Sequence, residues 1–272
     1  MEFDINPLFI DVNQRQLFVI NYTPLRKQSI ASIIYLPPFA EEMHKSRHMV
    51  AEQARQFARR GYHVMTVDLT GCGDSSGEFE EATWELWKED AKACYDWITS
   101  TQPAPPIILW GLRTGALLAT QLSEQIANVH KLLLWQPIIY GDQFVSQFIR
   151  QKLAAHNILS KASKKLETKS ILDELNLTGY IEVGGYKTTN KLLSSLSSAK
   201  ITDTVPKCQV FWFELGIENK DHLCFASNQA VEIWKKKRAQ IETKTIKGQP
   251  FWSTQEIVNC PDLIEATNKI IN

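Results

Sequence analysis

Ile107-Ile-Leu-Trp-Gly-Leu-Arg-Thr-Gly-Ala-Leu-Leu-Ala119 is the stretch on which the fold turns. An apolar run of strand character, Ile107–Trp110, enters Gly111-x-x-x-Gly115, and a helix-patterned segment, Ala116–Ala127, follows. Strand, tight glycine turn and helix together have the shape of a nucleophile elbow. Such a turn is crowded, so small residues flank its central position. The side chain at that position, here Arg113, stands over the strand's C-terminal end at the start of the helix.

Outward from the elbow, apolar runs of strand length alternate with helical spacing. Upstream, Leu17–Tyr22 and Ala31–Leu36 read as strands, Met43–Arg60 as a helix closing on Gly61, and His63–Asp68 as a strand. The glycine-rich loop Leu69–Gly77 follows, and Thr83 is placed to cap a helix over Trp84–Ser100. Downstream, Lys131–Trp135, Gln209–Phe213 and Ile241–Ile246 read as strands. Asp221–Arg238 and a segment after Pro261 read as helices. Nearly all-apolar strands separated by helices predict an α/β protein with a mostly parallel sheet covered on both faces. The alternation breaks between about Tyr140 and Val205. Residues 151–200 there carry eight lysines against four acids. This reads as a helical lid, or cap, at 140–205, inserted in a core made of 1–139 and 206–272.

The 272 residues hold 30 Lys+Arg and 30 Asp+Glu, a balance that argues against a nucleic-acid-binding surface. No apolar run reaches the roughly 18 residues of a membrane span. The start, Met-Glu-Phe-Asp, is acidic where a secretory signal is basic. Five scattered cysteines form no CxxC pair, which points to free thiols in a reducing compartment. The expectation is a cytoplasmic protein with neither cofactor nor metal; its protein partners and oligomeric state stay open.

Several segments carry a closer resemblance. Leu36-Pro-Pro-Phe-Ala-Glu-Glu-Met-His-Lys-Ser-Arg47, Leu69–Gly77, Trp110–Ala119, Leu134-Trp-Gln-Pro137 and Pro250-Phe-Trp-Ser-Thr-Gln-Glu256 are spread over most of the chain. The order of elements resembles the α/β-hydrolase superfamily, and these segments resemble the second hydrolase family associated with the exosortase A system. The resemblance implies an α/β-hydrolase fold, and a cytoplasmic protein of Gram-negative bacteria encoded near exopolysaccharide and protein-sorting machinery.

Serine-hydrolase chemistry needs a hydroxyl nucleophile, a base, and a carboxylate that orients the base. The nucleophile position holds Arg113, which is cationic and not a nucleophile. Gln249, after the last strand, stands where the superfamily puts its histidine, and an amide accepts no proton near neutral pH. Glu214, Glu218 and Asp221 are candidate acids, and the sequence does not choose among them. Arg113 is expected to face one of these or Glu41 or Glu42, because an isolated guanidinium is costly to desolvate. With Thr114 at the helix start and the backbone N–H groups of Phe39 and Ala40, it would form a positive pocket. Cys72 in the glycine loop is an alternative nucleophile or simple packing; Ser75 and Ser76 read as loop-bonding hydroxyls. His44 and His48 lie four apart on a helix as metal ligands can, with no third ligand at a matching spacing, and His222 adjoins Asp221.

Two functions follow from these readings. The first is a hydrolase-like protein with a degenerate triad that binds a small anionic, acyl or sugar-derived ligand. The second is an active esterase or deacylase using another nucleophile, or a water activated by Glu41, Glu42 or Glu214.

Overall fold

A computed structural model describes residues 2–25, 28–101, 106–159, 167–216 and 222–271. β1 (Phe3–Val12) and β2 (Arg15–Pro24) form an antiparallel hairpin. After β3 (Ser32–Leu36) the chain alternates through α1 (Glu41–Arg59), β4 (His63–Val67), α2 (Trp84–Thr101), β5 (Ile107–Leu112), α3 (Thr114–Leu122) and β6 (Val129–Trp135). The insert holds α4 (Gly141–Leu159), α5 (Thr168–Thr178), the hairpin β7 (Tyr180–Val183) and β8 (Tyr186–Thr189), and α6 (Asn190–Ser198). β9 (Gln209–Gly216), α7 (Phe225–Lys236), β10 (Ile241–Lys247) and α8 (Pro261–Ile270) complete the chain.

The main sheet runs β1-β2-β4-β3-β5-β6-β9-β10. It is parallel from β4 to β10, with β1 and β2 antiparallel at one edge. This is the α/β-hydrolase order that the resemblance implies. Alternate strand residues serve opposite faces: Ile34 and Leu36 join one core with α2, α3 and α7, while Ile33 and Tyr35 join another with α1 and α8. Thr83 accepts from the Leu86 N–H at 3.1 Å and so caps α2 as its position suggests.

Three sequence expectations need correction. β1 is a strand, although Leu17–Tyr22 read as the first. As an edge strand with Pro7 and a mostly exposed surface, it lacks the apolar run that marks its neighbours. α3 ends at Leu122 rather than Ala127, and α7 begins at Phe225 rather than Asp221; Asp221 and Glu218 lie outside the described residues.

The insert leaves and rejoins the core through a narrow neck. The Gly141 N–H donates to the Ala199 carbonyl at 2.9 Å and the Ile201 N–H to the Ile139 carbonyl at 3.0 Å. A Cβ on Gly141 would lie 1.8 Å from the Leu196 carbonyl oxygen, so only glycine fits this neck. Ile171, Ile181, Leu192 and Leu196 of the insert are buried in the same cluster as α2 and α3. The insert thus shares the core of the sheet beneath it.

Candidate functional site

The elbow geometry is present in full. Arg113 caps α3 with φ +56° and ψ −117°, a conformation that L residues adopt at a cost of about 1–3 kcal/mol. Its N–H donates to the Trp135 carbonyl at 3.0 Å. A Cβ on Gly115 would lie 2.1 Å from the Leu36 carbonyl oxygen, and one on Gly111 would lie 2.4 Å from the Gly115 carbonyl oxygen. Gly115 is therefore required by the close packing of α3 on β3, and Gly111 by that of α3 on β5. Ala40 enters α1 in nearly the same way, with φ +51° and ψ −127°. Two helix N-termini, each preceded by a strained residue, thus meet over the C-terminal edge of β3 and β5.

The Arg113 side chain faces Glu42. Its Nε donates to the two carboxylate oxygens at 3.2 and 3.3 Å, and Nη2 donates to Oε1 at 3.1 Å. The pair is largely buried, at 16% and 15% side-chain exposure. Burial pushes the Glu42 carboxyl above the usual range, and the Arg113 guanidinium opposes that shift. Trp252 lies 5.4 Å from the guanidinium carbon and Phe144, on α4, lies 6.0 Å from it. Trp252 is itself fixed by a run of ring contacts through Phe251, Trp135 and Trp110 to Tyr35.

Above the pair is a cavity of about 370 Å³. Phe39, Ala40, Glu41, Glu42 and Lys45 form one wall, and Trp252, Ser253 and Gln255 another. Phe144, Gln147, Phe148 and Gln151 of α4 and Tyr186 of β8 line it from a third side. Phe39 packs edge-on against Phe79, Trp87, Phe144 and Phe148, so the floor is aromatic. Lys45 pairs with Glu41 at 3.2 Å and donates to the Ser253 carbonyl at 3.5 Å. The α4 stripe at 144, 147, 148 and 151 has the spacing of one helical face, a signal present in the sequence but not singled out from it.

Other candidate residues lie elsewhere. Gln249 is exposed and does not line the cavity. The turn that follows it, with the Phe251 N–H donating to the Gln249 carbonyl and the Ser253 N–H to the Pro250 carbonyl, buries Phe251 and Trp252 instead. Glu214 is buried, and its Oε1 accepts the Cys224 N–H at 2.7 Å, at the start of α7. It borders a separate cavity with His222. Thr114 is buried in the first turn of α3.

The glycine loop is structural. Ser75 Oγ donates to the Asp68 carbonyl and accepts the Phe18 N–H, and Ser76 Oγ accepts the Gln16 N–H. Burial pushes the Cys72 thiol up to about 12, which removes its nucleophilic form at neutral pH. Arg47 holds both oxygens of Asp68 at 2.9 Å, and a Cβ on Gly73 would collide with that carboxylate. His44 stacks on Tyr186. Among the described residues no group of three or more His, Cys, Asp or Glu could hold a metal, and no helix is long and apolar enough to cross a membrane.

Comparison with known proteins fits this geometry. Residues 32–202 match the family model described as serine aminopeptidase, S33. Protein ABHD12B of Homo sapiens is 32% identical over 109 residues, which are 39% of this chain and 29% of that protein. The lysophosphatidylserine lipase ABHD12 of Gallus gallus is 35% identical over 68 residues, 25% of this chain and 17% of its own length. The matches thus span less than a third of these relatives. The structure of Est1E from Butyrivibrio proteoclasticus with bound ferulic acid superposes with a TM-score of 0.69 over 97% of both chains, at 16% identity, a likeness of fold. With a sheet in α/β-hydrolase order, elbow geometry and a family match across more than half of the chain, the chain belongs to the serine aminopeptidase S33 family of α/β-hydrolase-fold proteins.

Proposed function

We propose that this protein is a hydrolase-like binding protein whose triad is degenerate, and that it holds a small anionic, acyl or sugar-derived ligand beneath a lid formed by residues 140–205. The observation that carries this reading is the Arg113–Glu42 pair at the elbow, where a hydrolase keeps its nucleophile. A guanidinium neither attacks a carbonyl nor yields its proton at neutral pH. Gln249 supplies no base. The N-termini of α3 and α1 and the Arg113 guanidinium offer donors to an anion at one side of the cavity, and its aromatic floor suits an apolar ligand body. A cytoplasmic role beside exopolysaccharide and exosortase machinery belongs to the same proposal and rests on the motif resemblance.

Carboxylate-activated water is less well supported, since Glu42 is held by Arg113, Glu41 by Lys45, and Glu214 by the Cys224 N–H. Incubation with a fluorophosphonate probe and short-chain p-nitrophenyl esters tests the reading. No labelling and no turnover are expected; turnover lost on mutation of Glu41 or Glu42 would overturn it.

A further inference from the structure

Glu42 covers one edge of the Arg113 guanidinium, the one formed by Nε and Nη2. Among the described residues no hydrogen bond reaches Nη1, and the guanidinium borders the cavity. Its other edge is therefore open to a bidentate acceptor. The Trp252 and Phe144 rings also lie within cation–π distance of the guanidinium carbon. Phe39, Phe144, Phe148 and Trp252 give the cavity an aromatic side, beside the uncharged polar side chains of Gln147, Gln151, Ser253 and Gln255.

The charges in the cavity are already matched. Arg113 pairs with Glu42 and Lys45 with Glu41. Glu42 is faced by Arg113 at the start of α3, by Lys45 on its own helix and by Tyr35 from β3, while Glu41 on that helix and Tyr186 from β8 line the same cavity. The other lining side chains from α4 and from the segment after β10 carry no charge. An anion that enters meets the guanidinium and the Glu42 carboxylate together. Neutrality is recovered when one proton from solvent adds to Glu42.

We propose that the cavity binds a monocarboxylate with an apolar body at the open edge of Arg113, and that the neighbouring Glu42 charge opposes it, so that each ligand bound brings one proton onto Glu42. The proposal rests on the reading of this site as a binding site. It favours a monoanion over a phosphate dianion, because a single proton then balances the charge. The apolar body follows from the aromatic walls. Glu42 acts as an autoinhibitory contact that acid relieves.

Calorimetry of benzoate binding to the full chain, in two buffers of different ionisation enthalpy, tests this directly. Uptake of one proton per benzoate is expected, with affinity rising toward about tenfold for each pH unit below neutrality. Glu42→Gln should bind benzoate roughly tenfold or more tightly at neutral pH, with no proton uptake. Binding without proton uptake, no binding at all, or a Glu42→Gln protein no tighter than wild type would overturn the proposal. So would benzyl alcohol binding Glu42→Gln as tightly as benzoate does, since Arg113 would then recognise no charge. Should Glu42→Gln fail to fold, the wild-type proton count decides alone. Labelling by a fluorophosphonate would instead overturn the binding reading beneath it, a readout independent of the proton count.

Discussion

Arg113 and Glu42 are bound side chain to side chain across the entries of two helices, each preceded by a residue with positive φ. Nucleophile-elbow geometry thus persists around an ion pair. Removing one member of such a pair leaves the other buried and uncompensated.

Arg113→Ala should therefore lower stability by about 3 kcal/mol at neutral pH. The loss should shrink in acid, because the orphaned Glu42 is then protonated and no longer a buried charge. Denaturant titrations near neutrality and in mild acid check both parts. An equal loss at both pH values would mean that the guanidinium acts by packing on Trp252 and Phe144.

Arg113 was legible in the sequence because GxxxG after an apolar strand leaves only one place for its central residue. Its partner was not. Glu41, Glu42, Glu214, Glu218 and Asp221 had equal claims, and the choice depends on Ala40, whose φ of +51° aims the first turn of α1. Strands β3 to β6, β9 and β10 were legible because most are apolar on both faces. β1 was not, being an exposed edge that reaches β2 through Asn13-Gln14, a positive-φ turn without glycine. Gln249 follows the last strand, but its exposure goes with the burial of Phe251 and Trp252 beyond it, which the sequence does not reveal.

His63 should set part of the acid limit of the fold. Burial lowers its imidazole to about 4, against 6.5 ordinarily, and its Nδ1 has no hydrogen-bond partner among the described residues. A histidine depressed in the folded state binds its proton preferentially when unfolded. Its contribution is present above the unfolded value of 6.5 and is lost as pH falls toward 4. That window corresponds to about 3 kcal/mol. Glu42 and Asp90, both raised by burial, act in the opposite direction, so the test is a difference. Wild type and His63→Leu should diverge in their pH dependence between those two values; parallel curves would show that His63 protonates without cost.

Two glycine substitutions separate crowding from backbone strain. Gly115→Ala places a methyl 2.1 Å from a backbone oxygen of β3, where neither partner can move freely. It should abolish folding or cost more than about 4 kcal/mol. Gly184→Ala, at the β7–β8 turn, meets nothing within 4 Å among the described residues but sits at φ +57°. Its cost should be about 1 kcal/mol. Thermal melts of the two variants give the comparison. A mild Gly115→Ala would mean that α3 can withdraw from β3, and with it that the elbow is looser than its contacts imply.

The last prediction concerns whether hydrolysis can be put back. The order of strands alone suggests Arg113→Ser with Gln249→His, a nucleophile and a base at the two expected positions. The side-chain geometry argues that this pair stays inactive. Residue 249 is exposed and lies outside the cavity, while Trp252 occupies the space over residue 113. A serine–histidine contact needs about 3 Å between the reacting atoms. To reach it, the turn at 249–253 would have to reopen and expose Phe251, which is 1% exposed, and Trp252, at 6%. Uncovering two such side chains costs about 2–3 kcal/mol each. Glu42 would also lose its partner in this background, which adds to the instability. The double variant, where it folds, should show neither burst hydrolysis of an activated ester nor labelling of the introduced serine. Labelling that requires both substitutions would show that the turn does reopen, and that the nucleophile–base geometry of the family survives beneath the Arg113–Glu42 pair.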